Sequence, residues 1–254
     1  MVPAVTRALD ILELFLTRGP ELSSAEIIEL TGIPKTSAHS IINTLVEREY
    51  LVRFGEYQPH RFRLGIRAFE LGSVSFSGRD VATVGQSIAE DLSARFDETV
   101  QIGVLNGTDV IPVVKVDGQQ SIQLVSKVGK RTPAHCTALG KSLLAWLPET
   151  ALEALYPSGS ELEQLTERSI TSVSELHEHL KEVRQAGASR EFCESNESAV
   201  CVASPIRDSS GRVVAAISMS VPVVRWSTDA EVEWAARVHE HALRISRELG
   251  FNTI

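Results

Sequence analysis

The sequence contains no apolar run long enough to span a bilayer, and its first residues lack the basic start and apolar stretch of a secretory signal. The expected setting is therefore the cytoplasm, with no membrane partner. Cysteine is scarce. Cys136, Cys193 and Cys201 cannot all pair with one another and show no metal-ligand spacing, which suggests a reducing compartment. Positive charge is also short: 25 Lys and Arg against 33 Asp and Glu give a net charge of −8. That balance excludes a protein that coats nucleic acid over its whole surface, but leaves room for one basic face on an acidic body. Internal repeats and low-complexity tracts are missing too.

What is present is an ordinary globular composition, 43% hydrophobic and 23% charged over 254 residues, enough for two domains with a sizeable core. The most informative stretch runs from Ser23 to Leu64. Ser23 and Glu26 have the spacing of a capping box, opening a short amphipathic helix that ends at Gly32. Pro34 suits the first turn of a second helix, in which Ala38, Ile41, Ile42 and Leu45 share one face. The opposite face carries Lys35, Thr36, His39, Ser40 and Asn43, short polar side chains of the kind a helix entering a major groove presents. Two strands, Tyr50–Phe54 and Arg61–Leu64, flank a turn over 55–60 containing Pro59. Helix-turn-helix followed by a basic hairpin is the order of a winged helix. From Lys35 to Arg63 five Lys and Arg face three Glu, a small surplus concentrated at the end of the second helix and beyond.

Val5 to Arg18 reads as a helix with Val5, Leu9, Leu12, Phe15 and Leu16 on the side that packs against the other two. Residues 65–77 read as a linker helix ending at Gly78-Arg79-Asp80. The expected division is 1–64 for the winged helix, 65–80 for the linker and 81–254 for a second domain. That domain opens with a helix to about Phe96. Strands follow at 99–105 and 110–116 around the turn Asn106–Asp109, Pro112 favouring an edge or bulge, and a third strand at 121–127. Thr137–Leu147 reads as a helix followed by more helix through Tyr156, and Ser174–Gln185 as a helix closed by Gly187. Two more strands, 199–203 and 213–220, precede a last helix over 228–249. The expected class is α+β, with helices against an antiparallel sheet.

With those elements in place, the chain resembles the IclR family of bacterial transcription regulators. The likeness rests on Val5-x-Arg7-Ala8-Leu9-x-Ile11-Leu12, on Thr31-Gly32-Ile33-Pro34-Lys35, on Thr44-Leu45 and on Phe62-Arg63-Leu64-Gly65. It continues through Glu98-Thr99-Val100, the run Gly129 to Lys141, Cys201-Val202-Ala203-Ser204-Pro205-Ile206, and Ala215 to Ser220. It implies a winged helix joined by a linker helix to a GAF-like effector domain. It also implies dimers or tetramers on near-palindromic operator DNA, and a small-molecule effector. Two positions depart from the family pattern: Ser40 stands where arginine is usual, and Ser198 where glycine is common.

The expected DNA contacts are Lys35, Thr36, Ser37, His39, Ser40 and Asn43, with Asn43 suited to an adenine edge, and Arg53, Arg61 and Arg63 on the wing for phosphates. His135, Cys136, Thr137, Ala138 and Gly140 lie where a loop enters a helix, whose first amides favour an anion and whose small residues leave room for a ligand. The resemblance adds positions Glu191, Cys201, Ser218 and Ser220 to that effector cavity. Ser218 and Ser220, two apart on a strand, share a face; burial in a dry core would cost roughly 1–3 kcal/mol each without a partner. The alternative places that face in solvent. His135 beside Cys136 invites comparison with a nucleophile and its base, and His135, Glu191, Cys193 and Cys201 with a metal set. Adjacent residues rarely face each other, however, and the spacings are wrong for zinc. No catalytic residue, metal or cofactor is expected, and a ligand that is a small organic acid is. His177 and His179 are expected on opposite, exposed sides of their helix. The rival reading is an enzyme in the second domain, which turnover of the ligand would reveal.

Overall fold

Pro3 in the first turn and Gly19 beyond the last bracket helix α1 (Pro3–Thr17). A two-residue strand β1 (Leu22–Ser23) leads into α2 (Ser24–Thr31). There the Ser23 hydroxyl accepts from the Glu26 amide (3.2 Å) while the Glu26 carboxylate accepts from the Ser23 amide (2.7 Å). This is the capping box the spacing predicts. Gly32 closes α2 at φ +65°, a left-handed conformation that costs other residues more, and turns the chain into α3 (Lys35–Glu47). The hairpin β2 (Leu51–Phe54) and β3 (Arg61–Leu64) follows, then α4 (Ile66–Ser75). Strand β3 lies between β1 and β2, all antiparallel, which brings Leu22 opposite Phe62 and ties the wing to the start of α2. Ile11, Phe15, Ile27, Ile33, Ala38, Ile42, Leu45, Leu51 and Phe62 form the core. The computed structural model describes residues 2–55, 60–75, 81–119 and 127–252. The chain divides into two compact units, 1–78 and 79–254.

One expectation for α1 fails. The core takes Ile11 and Phe15, one helical turn apart, whereas Val5, Leu9 and Leu16 are 57%, 51% and 73% exposed. The apolar band of α1 is wider than its domain needs, and these three residues lie roughly 100° or more round the axis from the buried pair. Ile66, Phe69 and Leu71 of α4 are also exposed.

The second unit begins with α5 (Val81–Phe96), then the hairpin β4 (Thr99–Asn106) and β5 (Asp109–Val116). Ile102 pairs with Val114 but Gly103 with Pro112, so of the edge or bulge that the proline favours the bulge is present, and Val113 is the extra residue. Strand β6 (Thr132–Pro133), α6 (Ala138–Leu144), α7 (Glu149–Leu155), α8 (Val173–Ala186), β7 (Ser189–Phe192), β8 (Ala199–Arg207), β9 (Val213–Pro222) and α9 (Thr228–Glu248) complete it. The sheet is antiparallel in the order β6-β5-β4-β9-β8-β7. The strand expected at 121–127 falls almost wholly outside the described residues, as do most of the wing turn and the linker end at 78–80. The helix expected over Thr137–Leu147 ends at Leu144, and the further helix expected through Tyr156 is α7; Pro148, with no N–H to donate and a restricted Leu147 before it, separates the two.

Strand register gives this sheet two unlike faces. Val100, Ile102, Ile217, Met219 and Val202 point one way into a core closed by α5 and α9. On the other face Thr99, Ser220, Cys201 and Glu191 lie side by side across four strands, with Gln101 and Ser218 paired one step along. Helix α6 packs near that polar face. A Cβ on Gly140 would sit 2.1 Å from the Ala134 carbonyl oxygen, so glycine is what lets the helix lie against the turn before it.

Candidate DNA-reading face and ligand cavity

Burial of Ala38, Ile42 and Leu45 fixes the rotation of α3 and leaves Lys35, Thr36, His39, Ser40 and Asn43 exposed on one surface, with Ser37 half-buried at its margin. The wing arginines do not act as one group. Arg53 lies opposite Phe62 and stacks over its ring, 5.7 Å from the centroid. It donates to the Asn43 carboxamide oxygen at 2.7 Å. Arg61 and Arg63 alternate to the other face of the hairpin, Arg63 over the Phe54 ring and Arg61 bonded to the Glu21 carbonyl (3.1 Å) beside its carboxylate. The adenine contact expected of Asn43 thus begins from an amide whose oxygen is already engaged.

In the second unit a cavity of about 480 Å³ opens over the polar face of the sheet. Thr137, Ala138, Glu191, Cys201, Ser218 and Ser220 line it, so six of the nine expected positions come together. Ser218 and Ser220 are buried, which rules out the solvent-face alternative. His135, Cys136 and Gly140 do not line the cavity; all three are buried within two residues in sequence of residues that do. His135 is bonded through Nε2 to the Glu163 carbonyl (2.9 Å) with its ring edge against Tyr156, and the Cys136 thiol donates to the Pro133 carbonyl (3.3 Å). Burial, with Glu191 and Glu194 adding to it, pushes the Cys136 thiol up to about 12, so a thiolate nucleophile is absent at neutral pH. No cluster of metal-binding residues exists among the described residues. Helix α6 is only seven residues long, and its Gly140 amide is capped by the Thr137 hydroxyl (2.9 Å). Of the first amides of α6, that of Gly140 and, on the Thr137 carbonyl, that of Lys141 are used internally.

Positive charge comes from elsewhere. Lys127, Lys130 and Arg131 line the cavity, Arg131 shared with Asn106 and Asp109. Lys130 and Arg131 fall within the run Gly129 to Lys141 on which the family likeness rests, and Lys127 lies two residues ahead of it. Gln101, Ser195 and Asn196 also line the cavity and carry no such signal. Glu191, almost fully buried, accepts from both the amide (2.8 Å) and the hydroxyl (2.7 Å) of Ser195. Burial pushes its carboxyl up; the Ser195 bonds and Lys141 oppose this without cancelling it. Behind the cavity Lys141, completely buried, holds Glu194 through both oxygens at 2.6 and 2.7 Å. Thr166 and Ser169 donate to the Glu194 carbonyl and pin the same loop. His177 and His179 depart from expectation: both are half-buried, their Nε2 atoms enclosed without partners. Burial, then Lys141 and Arg190, lower His179 from 6.5 to about 4.

A winged helix with an exposed polar reading face, followed in the same chain by a domain enclosing a polar cavity, defines a ligand-responsive transcription regulator. The chain belongs to the IclR family: the bacterial transcriptional regulator IclR C-terminal model matches residues 74–247 and the IclR helix-turn-helix domain residues 4–54. It is 30% identical to the HTH-type transcriptional regulator XynR of Escherichia coli over 99% of this chain and 98% of that protein. It is 29% identical to KdgR of the same organism, over 99% of this chain and 94% of that one. The crystal structure of the Thermotoga maritima IclR superposes with a TM-score of 0.80 at 27% identity, covering 99% of this chain and all of that one. The protein is therefore a DNA-binding transcription regulator with a C-terminal effector domain, not an enzyme. No helix among the described residues is long and apolar enough to cross a membrane.

Proposed function

We propose that this regulator binds a near-palindromic operator as a dimer or a pair of dimers, and that a small organic acid in the cavity changes its hold on DNA. The reading helix is α3, with Lys35, Thr36, Ser37, His39, Ser40 and Asn43 toward the groove and Arg53, Arg61 and Arg63 near phosphates. Ligand contact belongs to Thr137, Ala138, Glu191, Cys201, Ser218 and Ser220, while His135, Cys136 and Gly140 are buried within two residues of these in sequence. Residues 65–80 connect the two functions. The observation that carries the ligand class is the cavity's composition: Lys127, Lys130 and Arg131 supply cations above a buried floor of hydroxyls, amide and carboxyl, polar groups that can exchange bonds with a polar ligand. A thermal-shift screen against metabolite acids, followed by mobility-shift titration on genomic fragments, tests the reading. An acid that raises the melting temperature and alters DNA affinity is expected, recovered unchanged after incubation. Failure to bind any fragment at low salt, with or without such acids, would reject it.

A further inference from the structure

The bond from Arg53 to Asn43 crosses from the wing to the middle of α3. A guanidinium has only donors, so the Asn43 atom that meets it is the carbonyl oxygen, and the carboxamide NH₂ is turned away. The arginine is itself held. Its place opposite Phe62 puts it on the hairpin face toward α3, and the aromatic ring supports its guanidinium plane.

Recognition of adenine by asparagine uses both ends of the amide, the oxygen accepting from N6 and the nitrogen donating to N7. Here one lone pair of the oxygen is filled, and the cation beside it repels a second incoming N–H. What the pair offers a groove is N–H and positive charge. Guanine answers that with two acceptors, O6 and N7, on one edge.

We propose that Arg53 locks Asn43 as a donor-only base reader, so that this position of α3 selects guanine and disfavours adenine. The proposal rests on the reading that α3 enters the major groove. It makes Arg53 a positioning residue for specificity, distinct from Arg61 on the opposite face of the wing.

The test is selection of operator sequences from random duplex DNA by the full-length protein. Mobility shifts on four duplexes differing only at the base pair that Asn43→Ala makes indifferent then measure the preference. The wild type should prefer guanine there. Arg53→Met should move the preference toward adenine by about fivefold or more, the discrimination expected once a bidentate amide contact is released. Arg61→Ala should weaken all four duplexes alike. A wild type that reads adenine at that pair, an Asn43→Ala protein with unchanged selection, or an Arg53→Met protein weakened equally on all four would each overturn the proposal. If no duplex is selected at all, the groove-binding reading beneath it falls as well.

Discussion

At the scale of residues, Glu191 decides how an anion can sit in a cavity whose floor already holds a carboxyl. Ionised, it would repel an organic acid; burial instead favours its neutral form. Because the folded pKa is raised, its contribution to stability is complete below the ordinary carboxyl value and is lost as pH rises through the folded one. Glu191→Gln keeps an acceptor for Ser195 and cannot ionise. It should therefore remove that loss, and chemical denaturation at pH 5 and pH 8 should show a flatter profile than wild type; equal slopes would refute the assignment. His179 has the opposite sign. Lowered to about 4, it contributes stability above pH 6.5 that disappears as the solution is acidified toward 4. With its side chain 23% exposed, the effect is on the order of 2 kcal/mol. His179→Gln should retain more of its neutral-pH melting temperature at pH 5 than wild type does. The sequence placed this histidine on the surface because helical spacing says which residues share a side, not which neighbouring elements cover it.

At the scale of elements, the same limit explains what was legible. The capping box and Gly32 announce α2 and its turn, because local bonds and a left-handed residue specify them without tertiary help. Strand β7 was invisible: its inward residues are Ser189 and Glu191 and its outward ones include Arg190, so no apolar alternation marks it. Cavity-lining strands lose the pattern that identifies core strands. The serines of β9 were readable as a pair on one face, but only the register with β4 and β8 shows that this face is enclosed. The Lys141–Glu194 pair, 53 residues apart in sequence, joins α6 to the loop after β7 and could not be inferred from spacing. Lys141→Met would leave a buried carboxylate without its partner and should cost about 3–5 kcal/mol in urea denaturation. Adding Glu194→Gln should recover a large part of that loss. If the double variant is no more stable than the single, the pair is not what Lys141 contributes.

At the scale of the molecule, the apolar stripe of α1 and the exposed Ile66, Phe69 and Leu71 of α4 matter as much as either site. A single recognition helix reads one half-site, so a near-palindrome requires two copies. Exposed apolar side chains on the DNA-binding unit are suited to bringing them together. Leu9→Glu or Phe69→Glu should shift sedimentation toward the monomer and weaken operator binding by tenfold or more while effector binding in the second unit persists; an unchanged sedimentation profile would place the contact elsewhere. The regulatory claim is stricter, because it is thermodynamic. If an acid in the cavity changes operator affinity by some factor, operator DNA must change the acid's affinity by that same factor, whatever route through residues 65–80 connects them. A coupling of 1–3 kcal/mol corresponds to about 5- to 150-fold. Calorimetric titration of the acid into free protein and into the protein–operator complex measures it directly. The two dissociation constants should differ by the ratio seen in mobility shifts with and without acid. Equal constants would mean that the cavity binds its ligand without informing the DNA-binding unit.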